Sequence, residues 1–367
     1  MKFTCTQENL HLGLQAVSRI AGKNITLPIL NNVLVIAEDG IVKLQTTNLE
    51  LGMTVTIRAK VETEGRYTIQ SRVLSDFINF LGNEKVVLET TPQGLLVTSG
   101  HSTTTIKGLS ADEFPVMPGG GEAMAVTLPG GTLQSLFDGV LFAVSHDESR
   151  PEISGVYVKV DGSTIVAAAT DSYRLAERTG ALIQPASTPI SIIIPARSAQ
   201  EIARSLPKAE TEITLRISEA QLNVHLPEME IVSRVIEGHY PDYHQIIPIQ
   251  IATTITVDRQ AFADNVRAAS LFCKPGINDL TLQAQADHKV IVFTAANTQL
   301  GEHRSTVEAE ISGPSTDIVF NYRYLLDGVT SLPGDSLQIE VNDANAPGVL
   351  RAVGHPEAFY LLMPIRQ

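Results

Sequence analysis

Three arginines recur where a strand pattern gives way to a helix pattern, and a guanidinium group at a helix start can bind an anion. The segments are YTIQSRVLSDFINFL, SIIIPARSAQEIARSL and TDIVFNYRYLLDGVTSL, and their arginines are Arg72, Arg197 and Arg323. These arginines lie 125 and 126 residues apart, and the leucines that close the three segments keep the same spacings. Two landmarks with one spacing indicate an internal repeat in which each copy carries a cation at the same structural point.

One such arginine alone is as consistent with a local salt bridge or a solvated helix end as with ligand binding. The helix dipole, however, favours anions at a helix N-terminus, so an arginine present in all three copies predicts a shared external anion. The chain as a whole is acidic, with 27 Lys and Arg against 40 Asp and Glu and a formal net charge of −13. Cations gathered on one helical surface would therefore bind a polyanion on that face only. The cations predicted to lie there are Arg19, Lys23, Arg72, Arg150, Arg197, Arg204, Arg267, Lys274 and Arg323.

No base-reading motif accompanies these cations. The predicted contact is therefore with the phosphates of a nucleic acid, independent of base sequence and weakened by salt. A scaffold that binds only proteins is the alternative. Such a scaffold would not respond to polyanions or to reversal of the three arginine charges.

The sequence also lacks the motifs of the common enzyme classes. It has no GxSxG turn, no HExxH helix, no paired-histidine metal spacing and no glycine-rich loop that ends in GK[ST]. We therefore expect no catalytic residue, no metal site and no cofactor.

Length and composition are typical of a multidomain globular protein. A chain of 367 residues exceeds one ordinary core and indicates two or three domains. No apolar run approaches the ~20 residues of a membrane span, and the first residues lack the basic start and apolar core of a secretory signal. Cys5 and Cys273 have neither CxxC nor zinc spacing, so we expect reduced, buried thiols and a cytoplasmic location.

Each third of the chain repeats one pattern of helices and strands. An extended segment precedes an amphipathic helix, in which apolar residues such as Leu10, Leu14 and Val17 recur at three- and four-residue steps. Strand pairs around polar turns follow, then the arginine-headed helix and two more hairpins. The predicted order is β-α-β-β-β-α-β-β-β, and helices packed on one face of the sheets give an α+β fold class. The predicted domains are three repeats, at 1–120, 125–248 and 249–367.

Repeated units can close on themselves. Three units would form half of a six-unit ring, so a two-fold homodimer is the simplest closure. Twelve helices side by side at ~9 Å spacing make a circle about 34 Å across. Subtracting one helix diameter of ~10 Å leaves an opening of about 24 Å, which would admit a duplex loosely.

Five motifs resemble those of the bacterial DNA sliding clamps, the beta subunits of DNA polymerase III. They are MKFTC, LPILNNVLV, ATDSYRLAER, YPDY and YLLMPIRQ, in order along the whole chain. The resemblance implies three domains of the DNA-clamp fold in a ring-shaped, head-to-tail homodimer, with helices lining the inside and sheets outside. It also implies a non-catalytic processivity factor of DNA replication that encircles duplex DNA. The implied partners are double-stranded DNA, a second copy of the chain, the DNA polymerase III catalytic subunit, the clamp loader, and other DNA polymerases and repair proteins through short linear peptides, with no membrane.

The resemblance further implies a hydrophobic cleft between the second and third domains that binds these peptides. A flexible methionine in an apolar wall suits several partners, and Arg174 and Arg366 are expected to orient polar or carboxylate groups at the rim. On periodicity alone, Ile153 and Leu175 would be core residues and Pro241 a turn residue. The expected cleft residues are Ile153, Thr170, Ser172, Tyr173, Arg174, Leu175, Pro241, Ile246, Leu361, Met363, Pro364, Ile365 and Arg366. At the ring joint, where an edge strand of the first domain meets a helix of the third, the expected residues are Ile106, Leu271 and Phe272.

The chain departs from the family pattern within this cleft. Ser172 and Tyr173 stand where many relatives have Gly-His, and Ile365 stands where they have Met. Gln367 replaces a more usual apolar end. We expect these changes to alter the preference among peptides, while the cleft itself is kept.

Overall fold

A computed structural model describes residues 1–22, 26–117, 123–147, 149–207 and 211–366. The predicted contact residue Lys23 and the C-terminal Gln367 lie outside the described residues. None of the helices in the described ranges has the length and apolar character required to cross a bilayer.

The chain divides into two compact units. The first comprises Met1–Thr127, Ser205–Pro207 and Thr211–Val235. The second comprises Leu128–Arg204 and Ile236–Gln367. The strands of the middle repeat are therefore shared between the two units.

The two helices of each repeat lie where the sequence predicts them. They are α1 (Gln7–Ser18), α2 (Ser71–Phe80), α3 (Gly130–Asp138), α4 (Ala196–Ser205), α5 (Arg259–Ser270) and α6 (Tyr322–Ser331). The predicted apolar face of the first helix is confirmed, because α1 buries Leu10, Leu14 and Val17. The helix α3 ends before Gly139, a poor helix former that a β-branched valine follows, and a 3₁₀ turn continues the chain.

The strands fill the intervals between these helices. In the first repeat they are β1 (Lys2–Thr6), β2 (Asn32–Glu38), β3 (Ile41–Thr47), β4 (Leu51–Ile57), β5 (Lys60–Thr63), β6 (Gly65–Gln70), β7 (Lys85–Thr91), β8 (Gly94–Ser99), β9 (Ser102–Ile106) and β10 (Gly108–Leu109). In the second they are β11 (Met124–Pro129), β12 (Gly155–Asp161), β13 (Thr164–Thr170), β14 (Arg174–Ala181), β15 (Ile190–Pro195), β16 (Glu212–Ile217), β17 (Gln221–Leu226) and β18 (Met229–Arg234). In the third they are β19 (Thr253–Asp258), β20 (Asp279–Gln285), β21 (Val290–Asn297), β22 (Gly301–Glu308), β23 (Glu310–Ser312), β24 (Thr316–Asn321), β25 (Ser336–Val341), β26 (Gly348–Ala352) and β27 (His355–Leu362).

The predicted order of elements is wrong in one respect. At least four strands, not three, separate the two helices of each repeat, because the strand that leads into the second helix is a separate element. In the first repeat this strand is β6, which pairs with β2 rather than with the strand before it in sequence. A strand before each arginine was predicted, so the error lies in the number of strands between the two helices.

Strands of neighbouring repeats pair with each other and build long sheets. The sheet β10-β6-β2-β3-β4-β18-β17-β16-β11 has nine strands, and so has β15-β12-β13-β14-β27-β26-β25-β19-β23. We call the antiparallel β4–β18 pairing the first joint and the β14–β27 pairing the second joint. Two smaller sheets, β5-β1-β7-β8-β9 and β22-β21-β20-β24, end in the edge strands β9 and β22.

A turn with an Asn or Asp side chain precedes the fourth strand of each repeat. Asn48 Oδ1 accepts hydrogen bonds from the amides of Glu50 and Leu51, and Asp171 Oδ1 accepts two in the same way. Asn297 Oδ1 accepts one from the amide two residues further on. The matching places of these side chains in the sequence are explained by this turn, in which the side chain replaces a backbone acceptor.

Candidate functional site

The three repeated arginines all occupy the second residue of a helix. Arg72, Arg197 and Arg323 follow the strands β6, β15 and β24 directly, which confirms the predicted strand-to-helix position. All three side chains are exposed. The first turns of α2, α4 and α6 contain no acidic residue, so no carboxylate there competes with an external anion. In α6 the Tyr322 amide donates to the backbone oxygen of Asn278, and the Arg323 amide donates to Asn321 Oδ1.

These three arginines make few contacts of their own. Within the described ranges, the side chains of Arg72 and Arg197 have no hydrogen bond or ion pair. Arg323 Nε donates to the hydroxyl of Tyr322 at 3.3 Å, and its guanidinium lies 5.9 Å from the centre of that ring. The local salt bridge that one arginine alone would allow is therefore absent at two of the three positions described.

The other predicted cations are exposed but have partners. Arg19 Nη2 donates to Ser205 Oγ at 3.3 Å. The remaining pairs are Arg204 with Glu201 at 2.9 Å, Arg267 with Asp264 at 2.7 Å and Lys274 with Asp279 at 3.4 Å. Ion pairs at exposed positions are worth at most about 1 kcal/mol, so Arg267 and Lys274 remain available to a polyanion. Arg204 is held more firmly, because the carboxylate of its partner Glu201 is buried.

The floor of the predicted cleft lies across the second joint. Thr170, Leu175, Leu361 and Val349 are successive partners across β13, β14, β27 and β26, so they lie side by side on one face of the sheet. Leu175 and Leu361 are fully buried in one cluster with Val349, Phe359 and the ring of Tyr243. Met363, Ile247 and two more tyrosines pack against this cluster. The structure thus brings the predicted cleft residues Leu175, Leu361 and Met363 together in one apolar cluster.

The rim of the cleft consists of more exposed residues. Ser172 and Tyr173 form the tip of the Asp171 turn, and Ser172 has a positive φ of 77°. This conformation suits glycine best, which agrees with the glycine expected there in relatives. Arg150 Nη1 donates to Ser172 Oγ at 2.8 Å. Arg150 therefore lies at the cleft rim, and its predicted contact with a nucleic acid stays a prediction.

Other predicted rim residues flank the aromatic part of the cluster. Ile246 lies in a 3₁₀ turn (Tyr243–Ile246) with nearly half of its surface exposed, and Pro241 is exposed just before it. Ile153 is almost fully buried in the 3₁₀ turn Pro151–Ile153, so it supports the rim from below.

The expectation for Arg174 is wrong. Its side chain is only 9% exposed and is committed to the protein itself. Nε bonds Asp171 at 2.9 Å, Nη1 bonds Asp327 at 2.6 Å, and Nη2 donates to the backbone oxygen of Phe142 at 2.7 Å. The guanidinium also lies 4.3 Å from the ring centre of Tyr324. Arg174 is therefore a strut beneath the cleft, and Asp327, 153 residues away in sequence, could not be foreseen as its partner.

The residues after β27 are held on the second joint by backbone hydrogen bonds. The Met363 amide donates to the backbone oxygen of Tyr173 at 2.9 Å, and the Ile365 amide donates to that of Val319 at 2.7 Å. Met363, Pro364 and Ile365 are half-buried. Arg366 is exposed and makes no polar contact within the described residues, so it can still serve the role at the rim that Arg174 cannot.

Tyrosines add a polar anchor that the sequence did not reveal. The Tyr243 hydroxyl donates to Glu177 at 2.5 Å. Burial, and then the charge of Glu177, raises the pKa of Tyr243 well above its usual range, so the hydroxyl remains a donor at any physiological pH. Tyr240 stacks on Tyr157 with ring centres 4.9 Å apart. The YPDY motif thus serves to fix one wall of the cleft.

The residues predicted for the ring joint lie at or near the two edge strands. Ile106 ends β9 and is 9% exposed, while Leu271 follows α5 and is 70% exposed. Phe272 stacks on His303 of β22, with ring centres 5.8 Å apart. Leu271 and Phe272 lie just beyond α5 rather than within it. Phe80, at the end of α2, is 85% exposed and was not singled out from the sequence.

Comparison with known proteins identifies the chain. Family models match all three repeats in order: the N-terminal domain of the DNA polymerase III beta subunit over residues 1–118, its central domain over 127–242 and its C-terminal domain over 244–366. The chain belongs to the DNA polymerase III beta-subunit family. The three-domain clamp fold expected from the sequence is thereby confirmed.

Relatives agree along their whole length. The "Beta sliding clamp" of Synechocystis sp. (strain PCC 6803) is 30% identical over 388 residues, with 100% of this chain and 99% of that protein covered. The crystal structure of the sliding clamp from Bacillus subtilis has a TM-score of 0.96 at 28% identity and covers 100% of this chain and 99% of its own. The Pseudomonas aeruginosa clamp crystallised with a ligand also has a TM-score of 0.96, at 25% identity and full coverage of both chains.

Proposed function

We propose that this beta subunit is a DNA sliding clamp that encircles duplex DNA without sequence specificity and tethers the replicative polymerase and other DNA-processing proteins. The observation that carries the proposal is the match of all three repeats to the beta-subunit family, in order and over residues 1–366. The chain itself performs no catalysis and takes no cofactor, and it works in the cytoplasm. Its domains are 1–120, 125–248 and 249–367.

The helix starts supply the contact with DNA. A phosphate at such a start meets the positive end of the helix dipole and a nearby guanidinium group. This arrangement occurs at Arg72, Arg197 and Arg323, and nothing in it reads a base edge. The clamp therefore holds DNA loosely through its phosphates, with Arg19, Lys23, Arg150, Arg204, Arg267 and Lys274 as further cations.

The second joint is the docking site for partner peptides. Its floor is apolar, Met363 gives it an adaptable side chain, and Ile246 and Tyr173 leave apolar surface exposed at the rim. The exposed Arg366 orients a polar or carboxylate group of the peptide.

A second copy of the chain closes the ring through β9 and β22. In the first joint the fourth strand of the first repeat pairs with the last strand of the second. The second joint repeats this between the second and third repeats. The fourth strand of the third repeat is β22, and the strand of the first repeat that matches β18 and β27 is β9, and both are edges. Pairing β22 with β9 of a second copy joins sheets of four and five strands into nine, the number found at the other two joints.

The two observed joints predict a register for the third. Gly52 and Leu175 are the ladder partners of Thr47 and Thr170, which directly precede Asn48 and Asp171, and their partners across the joint lie three pairs from a hairpin turn. In the third repeat the ladder partner of Ala296, which directly precedes Asn297, is Glu302. The same rule predicts Glu302 opposite Thr105 of the second copy, and Gly301 opposite Ile106. At the first joint Arg19, which follows α1, contacts Ser205, the last residue of α4. The matching residues at the third joint are Leu271, which follows α5, and Phe80, the last residue of α2. The same arrangement would bring these two exposed side chains together.

A disulfide cross-link tests this interface. Mixing Glu302→Cys with Thr105→Cys protein should give a covalent dimer under mild oxidation, since directly opposed residues are within the Cα separation of a disulfide. Thr104→Cys in place of Thr105→Cys is the matched control, because a shift of one residue turns the side chain to the other face. Burial raises the pKa of Cys5 to about 12 and that of Cys273 to about 11, so wild-type protein should not cross-link. Equal cross-linking of both pairs, or a mass of one 39.6 kDa chain at micromolar concentration, would contradict the ring.

The function itself is tested by the topology of the DNA. Protein loaded onto nicked circular DNA by its clamp loader should stay bound in a salt wash and should leave at least about tenfold faster once the circle is cut, because a ring slides off a free end. A protein that binds DNA by surface contacts alone would leave both forms at the same rate. That outcome would refute the clamp proposal, and no binding of any DNA would favour the protein-only scaffold.

A further inference from the structure

The first joint carries a groove that corresponds, residue by residue, to the cleft at the second. Thr47, Gly52, Val232 and Asn223 are successive partners across β3, β4, β18 and β17. They match Thr170, Leu175, Leu361 and Val349, which form the floor of the second joint. The groove wall corresponds as well, since Phe114 packs on Leu34 as Tyr240 packs on Tyr157. The chain segment FPVM at 114–117 thus occupies the position of YPDY at 240–243.

Two substitutions make this groove different in chemistry. Gly52 replaces the leucine of the second joint, and the thioether of Met117 lies over it, so close that a Cβ on Gly52 would overlap the Met117 methyl group. Asn223 replaces the valine, and its Oδ1 is buried with no hydrogen-bond partner in the described residues. A buried acceptor without a donor is costly, by about 1–3 kcal/mol, and indicates that a donor is missing.

The surroundings of the groove are apolar at one end and cationic at the other. Val116 is 93% exposed, and Leu27 and Leu49 are each 45% exposed. Leu27 and Leu49 match Arg150 and Ser172, which are in contact at the second joint. Toward the other end the floor continues from Asn223 to its partner Arg216 on β16.

Two arginines at that end are free to bind an anion. The exposed side chains of Arg216 and Arg234 make no hydrogen bond or ion pair within the described part of the chain. Arg216 is the cross-strand partner of Asn223, and Arg234 pairs with Gln221, two residues before Asn223 on β17, so both arginines neighbour Asn223 on one face of the sheet.

We propose that the first joint is a second docking groove, which takes a short extended peptide with two apolar residues, then a hydrogen-bond donor, then carboxylates. The apolar residues cover Leu27, Leu49 and Val116, the donor reaches Asn223 Oδ1, and the carboxylates meet Arg216 and Arg234. Adjacent strands lie ~4.8 Å apart, so the floor from Gly52 to Arg216 spans about 14 Å, the length of about four extended residues. Met117 has three rotatable side-chain bonds and moves aside to admit the peptide. This groove is separate from the cleft of the proposed function and gives the clamp two different docking sites on one chain.

Fluorescence anisotropy with a defined peptide tests the proposal. The probe is fluorescein-Leu-Leu-Gln-Asp-Glu-amide, added to the full chain at low salt. We expect Asn223→Val to weaken binding at least about tenfold, because it removes the acceptor and introduces the valine found at the matching position of the second joint. The double variant Arg216→Glu with Arg234→Glu should weaken binding by a similar factor. Asn223→Val should unfold at the same or a higher temperature, because it removes an unsatisfied buried group, so lost binding cannot be ascribed to misfolding.

Controls separate this groove from the cleft at the second joint. Lys60→Glu with Arg66→Glu makes the same change in net charge on exposed strand positions and should leave binding unchanged. Deletion of residues 363–367 should also leave it unchanged, whatever that deletion does to the proposed function. Binding that survives the first-joint variants but is lost on the deletion would place the peptide in the second joint and overturn the proposal. The absence of binding at millimolar peptide would overturn it as well.

Discussion

Replacing Arg72, Arg197 and Arg323 together with glutamate is expected to lower the retention of loaded protein on nicked circular DNA at least about tenfold. Each replacement removes a cation from a helix start and puts an anion in its place, so phosphates that were attracted are repelled. The dependence of DNA binding on salt should also become weaker, because each lost phosphate contact makes the slope of log K against log salt shallower by about 0.9. The measurement is the fraction retained through a salt series on circles loaded with clamp loader.

The fold should survive this change. The three side chains are exposed, and two of them have no polar contact in the described residues. A carboxylate in the first turn interacts favourably with the helix dipole, by about 0.3–1 kcal/mol, so the melting temperature should stay level or rise. Loss of retention with a maintained melting temperature therefore separates DNA contact from stability.

A matched variant isolates the position of the charge from its amount. Arg66→Glu, Lys159→Glu and Lys289→Glu change the net charge equally, with one exposed position in each repeat, on strands or a turn rather than at helix starts. This variant should lose much less retention than the first. Equal losses would mean that only net charge matters, and unchanged retention in the helix-start variant would rule out those arginines as DNA contacts.

The features that the sequence predicts well are local or repeated. A three- to four-residue apolar period indicated α1, and the strand-to-helix position of Arg72 followed from adjacent segments, because both depend on neighbours in the chain. The spacing of the three arginines gave the three repeats without any knowledge of how the repeats meet. The position of Asn48 was visible as a match between repeats, although its role in the turn was not.

The features that the sequence does not predict depend on distant partners. The joints pair β4 with β18 and β14 with β27, and nothing local in an edge strand indicates its partner. Arg174 was predicted as a rim residue from the family resemblance, but its guanidinium is bonded to Asp327 within the protein. Phe80 lay in an amphipathic helix, where an apolar residue is expected to be buried, and only the structure shows it exposed.

Deletion of residues 363–367 is expected to abolish stimulation of the polymerase and to weaken partner-peptide binding at least about 30-fold, or ~2 kcal/mol, the value of burying a methionine side chain. The deleted segment contains Met363, which packs on the cleft cluster, and Arg366 at the rim. Leu361 and the rest of β27 remain, so the second joint itself is kept. The measurements are peptide affinity by anisotropy and polymerase processivity on primed circles.

The deletion should leave the dimer intact, because β9 is in another sheet and the tail bonds β24, at the opposite edge of its sheet from β22. It removes two backbone hydrogen bonds, to Tyr173 and Val319, which costs about 2 kcal/mol of stability at most. Met363→Ala keeps both bonds and is the control that attributes lost affinity to the side chain. Arg174→Ala is unsuitable, since it would leave the carboxylates of Asp171 and Asp327 without their cation. A truncated dimer that still binds partner peptides at full strength would show that the peptides dock elsewhere than at the second joint.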